Sequence, residues 1–141
     1  MGAAGNGHER LIELLLRHDA EINLQSSNGY TALMCAAIQG HERVVELLLQ
    51  RGAEINLQNN FGCTALVHAA QEGRERVVEV LIRRGAEINM QDSNGLTALM
   101  CAASQGHPAV VRRLLRAGAD AARTVDGKTA LQCAKEQGHA E

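Results

Sequence analysis

Residues 28–58 read NGYTALMCAAIQGHERVVELLLQRGAEINLQ, and the chain repeats that text with small changes. Residues 60–91 read NFGCTALVHAAQEGRERVVEVLIRRGAEINMQ, and from residue 93 comes SNGLTALMCAASQGHPAVVRRLLRAGAD. Thr31, Thr64 and Thr97 recur at steps of 33, as do Asn23, Asn56 and Asn89. A fixed period of this length marks a solenoid, in which each unit covers its apolar face with its neighbours. Within a unit, Asn28-Gly29 predicts a tight turn. Thr31 predicts a helix N-cap, Ala36-Ala37 a thin inner helix, and Gly40 its end. Glu42 opens a second helix whose Val44, Val45, Leu48 and Leu49 fall at helical spacing. Helices of about ten residues are marginal alone in water, so each needs the next unit.

Gly29-x-Thr31-x-Leu33, Ala36-Ala37-x-x-Gly40-His41, Val44-Val45-x-Leu47-Leu48-Leu49 and Gly52-Ala53-Glu54-Ile55-Asn56 closely resemble the ankyrin repeat, in register over three full copies. The resemblance implies an all-α solenoid of stacked helix-turn-helix units with short β-turn fingers, and a partner-binding surface. The units expected are 26–58, 59–91 and 92–123, flanked by incomplete ones at 1–25 and 124–141. In the first, Leu11, Ile12, Leu14, Leu15 and Leu16 predict an outer helix, and Asp19 stands where later copies have Gly52, Gly85 and Gly118. The last reaches only an inner helix over 130–137. The chain departs from the family's Thr-Pro-Leu-His: Met34, Val67, Met100 and Gln132 stand where the histidine belongs. Apolar contact is therefore expected to replace that histidine's hydrogen-bond ladder in three copies.

Composition narrows the function. The chain of 141 residues is 45% hydrophobic with one Phe, one Tyr and no Trp, so its core must be thin layers of Leu, Val, Ile and Ala. A net charge of -2 gives no basic footprint for nucleic acid. No apolar run approaches the roughly 20 residues that span a bilayer. Met1-Gly2 lacks the Ser or Thr that an N-myristoylation signal carries at the sixth position, where Asn6 stands. No basic-then-apolar leader is expected before the first helix, and the chain is expected to be soluble and intracellular, cytoplasmic or nuclear.

Cys35, Cys101 and Cys133 share one slot of the repeat, just before Ala-Ala in two cases, and His68 fills it in the remaining copy. Stacked helices lie about 8–10 Å apart, beyond the roughly 7 Å that a disulfide tolerates between Cα atoms. Reduced cysteines in a reducing compartment follow. Zinc needs ligands converging at about 2.0–2.3 Å, whereas this column is spread one repeat apart, and Cys63 has no ligand motif beside it. Neither a Cys–His nucleophile signature nor a phosphate loop is present. No enzyme activity, cofactor, metal or small-molecule substrate is expected.

Charges on the outer helices, among them Glu42, Arg43, Glu46, Glu75, Arg76, Glu79 and Arg83, alternate in sign and are expected to form a solvated convex face. Arg112, Arg113 and Arg116 have no acid between them and give the C-terminal end a basic bias that would orient an acidic partner.

The resemblance assigns partner binding to the fingers and the exposed ends of the inner helices. Carried over position by position, that surface comprises Ser27, Asn28, Tyr30, Ile38 and Gln39; Asn60, Phe61, Cys63, Gln71 and Glu72; Ser93, Asn94, Leu96, Ser104 and Gln105; and Asp126 and Lys128, with Glu136 and Gln137 continuing the row. Tyr30, Phe61, Leu96 and Ile38 are expected to be apolar without serving the core. The resemblance also makes Asn23, Asn56 and Asn89, each within Glu-Ile-Asn and eight residues after a leucine, candidates for asparaginyl hydroxylation, besides hydrogen-bonding the finger backbone. The function expected is non-catalytic binding of a protein or peptide within a larger scaffold or adaptor. The alternative is self-association through open solenoid ends.

Overall fold

The computed structural model describes residues 21–123, 125 and 128–138. The expected first outer helix and the Asp19 turn lie outside them. Seven helices stand among the described residues: α1 (Ala32–Gln39), α2 (Glu42–Gln50), α3 (Ala65–Gln71), α4 (Glu75–Arg83), α5 (Ala98–Ser104), α6 (Pro108–Arg116) and α7 (Ala130–Glu136). The odd-numbered helices form an inner row and the even-numbered ones an outer row; α1 to α6 pack in pairs and on their counterparts in adjacent units, and α7 packs on α5. Among these residues the only β pairing is the isolated bridge between Val125 and Lys128.

The start of every inner helix is written in one residue. Thr31, Thr64, Thr97 and Thr129 have extended backbones and accept at their hydroxyls from the N–H of Met34, Val67, Met100 and Gln132. Each satisfies a donor that the first turn would otherwise leave unpaired. Gln132 returns the contact through its Oε1, which accepts from Thr129 N–H at 2.8 Å and completes a capping box.

The inner helices α3 and α5 are covered on both sides by inner helices of adjacent units. Every residue of α3 from Ala65 to Ala70 is buried, and Ala36, Ala37, Ala69, Ala70 and Ala102 let the helices approach closely. Outer helices bury one stripe only. In α4, Val77, Val78, Val80 and Leu81 enter the core while Arg76 and Arg83 stay in water, the amphipathic pattern of a surface helix.

Met34, Val67 and Met100 are buried, as expected of apolar replacements for the histidine. The hydrogen-bond ladder nevertheless exists, and other residues make it. Gln25 Nε2 donates to Gly29 O in its own finger at 2.8 Å and to Gln58 O in the next at 3.1 Å; Gln58 repeats both bonds to Gly62 O and Gln91 O. At the outer-helix entrance Arg74 Nε donates to Ile38 O and His107 Nε2–H to Gln71 O, each reaching back 36 residues. A Cβ on Gly73, which has a φ of 72°, would come within 2.7 Å of the His107 ring. Glycine thus serves both the left-handed turn and the passage of that side chain.

The convex charges are more organised than solvation alone requires. Arg83 pairs with Glu46 of the preceding unit at 3.1 Å, and Arg113 pairs with Glu75 at 2.9 Å and Glu79 at 3.1 Å. Arg113 therefore does not belong to a free basic cluster, since the acids that match it lie one repeat back rather than beside it in sequence.

Candidate functional site

Each of the first three fingers is a reverse turn closed by a carboxamide, carboxylate or hydroxyl at its base. Asn59 Oδ1 accepts from Phe61 N–H at 2.9 Å and from Cys63 N–H at 3.0 Å; Asp92 Oδ1 does the same for Asn94 and Leu96. In the first finger Ser26 Oγ accepts from Tyr30 N–H. Adjacent fingers then join through backbone bonds from Asn60 N–H to Asn28 O and from Ser93 N–H to Phe61 O, both 2.9 Å. Gly62 sits at the tip with a φ of 78°, and a Cβ there would meet Ser93 N at 2.6 Å. Only glycine fits the turn and its close neighbour together.

The expected surface residues divide in two. Ser27, Asn28, Gln39, Asn60, Phe61, Gln71, Glu72, Ser93, Asn94, Gln105 and Lys128 are exposed, and Ile38 and Ser104 are half-buried. Tyr30, Cys63 and Leu96 instead pack against the core, and Asp126 lies outside the described residues. The expectation that Tyr30 and Leu96 stand apart from the core is thus corrected. The Tyr30 ring stacks on His68 of the next unit with centroids 5.3 Å apart, and Leu96 turns inward beneath its finger. Some exposed polar residues already serve the stack: Asn60 Nδ2 donates to Ser27 O, and Lys128 Nζ pairs with Glu136 at 2.7 Å. Phe61 differs from all of these. Its backbone is held on both sides while its ring is 56% exposed.

Below Phe61, Asn59 and His68 form a buried polar pair, with Asn59 Nδ2 3.1 Å from His68 Nε2. Because Asn59 Oδ1 is committed to two backbone N–H groups, Nδ2 faces the imidazole and must donate. His68 Nε2 is then an acceptor, and the ring is neutral with its proton on Nδ1. Burial pushes the His68 pKa below its ordinary value, against a weaker upward pull from Glu72.

The cysteine slot is buried only in the two middle units, at His68 and Cys101. Cys101 is buried and Cys35 and Cys133 are half-buried, all as free thiols. Burial raises the pKa of Cys35 and Cys63, the latter with a contribution from Asp92; that of Cys101 is pushed up to about 12 by burial, Asp92, Cys63 and Cys133. Thiolates, the nucleophilic form, are disfavoured at these positions. Among the described residues, no group of three or more His, Cys, Asp or Glu side chains is placed to hold a metal ion. No helix among them is long and apolar enough to cross a membrane.

A family model for ankyrin repeats, in three copies, matches residues 1–92 and 84–141. The chain belongs to the ankyrin-repeat family. Comparison with curated proteins returns no match. Ankyrin repeats are protein–protein interaction modules and typically non-catalytic. Asn23, Asn56 and Asn89 of this ankyrin domain accept at Oδ1 from the N–H of Glu54, Glu87 and Asp120, at 2.8–2.9 Å and 31 residues on. They tie each unit to the loop leaving the next outer helix, rather than to the finger tip.

Residue-by-residue reading of the sequence missed Gln25, Gln58 and Gln91, although they too recur at steps of 33. It also missed the Asn59–His68 pair, whose only sequence signal was that His68 interrupts a column of cysteines.

Proposed function

We propose that this ankyrin domain is a non-catalytic binding module that takes a protein or peptide partner across its fingers and inner-helix ends, as part of a larger scaffold or adaptor. The observation that carries the reading is Phe61. An aromatic ring left in water on a rigid, doubly hydrogen-bonded turn loses little freedom when a partner covers it. Interfaces draw most of their energy from a few such residues, and full burial of the ring contributes roughly 1.5–3 kcal/mol from area alone. The exposed row of Asn28, Gln39, Asn60, Gln71, Ser93, Asn94 and Gln105 offers amide and hydroxyl groups to a peptide backbone around it. Four free thiols, one of them buried at Cys101, support a reducing cytosolic or nuclear setting.

The test compares wild type with Phe61→Ala in quantitative capture from cell extract, with circular dichroism alongside. A protein enriched by wild type and lost at least tenfold with the variant, at unchanged helical signal and Tm, supports the reading. Identical enrichment refutes it. Self-association through the solenoid end is the second reading, and it draws on Leu115 and Leu131, which stand exposed there.

A further inference from the structure

Asn59 divides its side chain between two tasks. Its Oδ1 accepts from Phe61 N–H and Cys63 N–H at the base of the second finger, and its Nδ2 donates to His68 Nε2 on α3 at 3.1 Å. The second bond exists only while Nε2 carries a lone pair. His68 is 8% exposed, so little water reaches the ring to replace a lost partner.

A proton at Nε2 sets donor against donor, and one of the two side chains has to turn. The imidazole is held in place: the Tyr30 ring of the first finger stacks on it with centroids 5.3 Å apart and planes at 30°, a contact that positive charge strengthens. Asn59 stands in a loop, and its amide turns about a single broad torsion. Turned half a circle, Oδ1 accepts from the imidazolium, while Nδ2 is set against the N–H groups of Phe61 and Cys63. One bond kept at His68 thus costs two in the finger.

The charged and titratable groups on the surrounding elements leave this exchange to Asn59. Glu72, on α3 itself, pulls the His68 pKa upward less than burial pushes it down. The helices α1 and α5 bring the thiols Cys35 and Cys101 at the same slot, both raised by burial and hence neutral. On α4, Glu75 and Glu79 pair with Arg113, Arg83 pairs with Glu46, and Arg76 is exposed. In the third finger, Asp92 gives its Oδ1 to Asn94 and Leu96.

We propose that His68 is a proton-operated latch on the Phe61 finger: protonation at Nε2 draws the Asn59 carbonyl away from Phe61 and Cys63 and frees the base of the finger. The fingers on either side are built otherwise. Asp92 closes the third by the same two bonds, but Cys101 stands in the place of His68; Ser26 closes the first, with Cys35 in that place. Because burial lowers the His68 pKa from its ordinary 6.5, the latch is shut above pH 6.5 and opens as pH falls through the lowered value. That an opened finger binds its partner more weakly rests on the reading of Phe61 as an anchor; the latch itself does not.

Hydrogen exchange of the 141-residue chain, followed amide by amide by NMR from pH 7.5 to 5, tests the latch without a partner. Its outcome therefore stands whether or not capture depends on Phe61. Rates are divided by those of an unstructured chain at each pH. Protection at Phe61 and Cys63 is expected to fall about tenfold, the effect of losing roughly one bond at each, with the midpoint at which the His68 ring itself titrates. Protection at Asn94 and Leu96 should stay constant. Asn59→Asp combined with His68→Cys, the pair that the third finger carries, should abolish the fall. A fall shared by all four amides, no fall as His68 becomes charged, a fall that persists in the double variant, or a ring that stays neutral down to pH 5 overturns the proposal.

Discussion

Replacing Asn59 by alanine removes three hydrogen bonds at once: two from backbone N–H groups at the base of the Phe61 finger and one to buried His68. The two N–H groups are partly buried and recover some hydration, whereas His68 Nε2 is deeply placed. At roughly 1 kcal/mol for each net bond, more where a group stays buried and unpaired, the loss is about 3–5 kcal/mol. For a chain of this length, where 1 kcal/mol moves Tm by about 4 °C, that is a fall of roughly 12–20 °C. Asn59→Asp separates the two halves of the effect. It keeps the acceptor for the finger, as Asp92 does in the next unit, but turns a carboxylate toward His68. In the wild type the folded state depresses the His68 pKa, so the unfolded chain binds more protons just below pH 6.5. That stabilisation is complete above pH 6.5 and is lost as pH falls toward the lowered value. With Asn59→Asp the imidazolium gains a partner and the folded pKa rises. The added stabilisation is then present below pH 6.5 and is lost as pH climbs through the raised value. Thermal unfolding followed at 222 nm from pH 5.5 to 8 should show the gap between Asn59→Asp and wild type narrowing or reversing on acidification. An Asn59→Ala Tm within 2 °C of wild type, or parallel pH profiles for wild type and Asn59→Asp, would refute the assignment of His68 as a neutral acceptor.

Gly62→Ala should cost at least about 2 kcal/mol from left-handed backbone strain and the 2.6 Å approach to Ser93 N, read as a lower urea midpoint with unchanged m-value. Arg113→Ala should lower Tm slightly at low salt, with the difference vanishing near 1 M salt, where screening acts over about 3 Å; a salt-independent loss would mean that packing rather than pairing with Glu75 and Glu79 is at stake. Asn23, Asn56 and Asn89 should each gain one oxygen when the chain is incubated with an ankyrin-type asparaginyl hydroxylase and analysed by mass spectrometry. No mass change at any of the three ends that reading.

What the sequence made legible is whatever repeats at 33. The threonine caps, the helix starts, the buried Val-Val and Leu positions and the alanine pairs all follow from one unit read three times, because identical local text in an identical setting folds identically. What escaped it lies between units. Tyr30 looked like a free finger aromatic because the ring it stacks on, His68, is 38 residues away and belongs to a position that differs in every other copy. Arg113 looked like part of a basic run because its carboxylates stand on the preceding helix. The glutamine ladder was hidden for the opposite reason: Gln25, Gln58 and Gln91 recur faithfully, but nothing local says that a loop glutamine will close its own finger and reach the next. Among the partner-face residues, exposure could be read for the polar ones, while the apolar ones needed coordinates. Phe61 stands at the exposed finger position of Asn28 and Asn94, whereas Tyr30 stands at the position of Cys63 and Leu96, which packs against the core in all three units.

The most direct test of the binding face is a photo-crosslinking amino acid placed at Phe61 in one variant and at Arg76, on the exposed side of α4, in another, each irradiated in cell extract. The account predicts a discrete protein adduct from position 61 and none from position 76. Adducts from position 76 alone would place the partner on the convex side and contradict it.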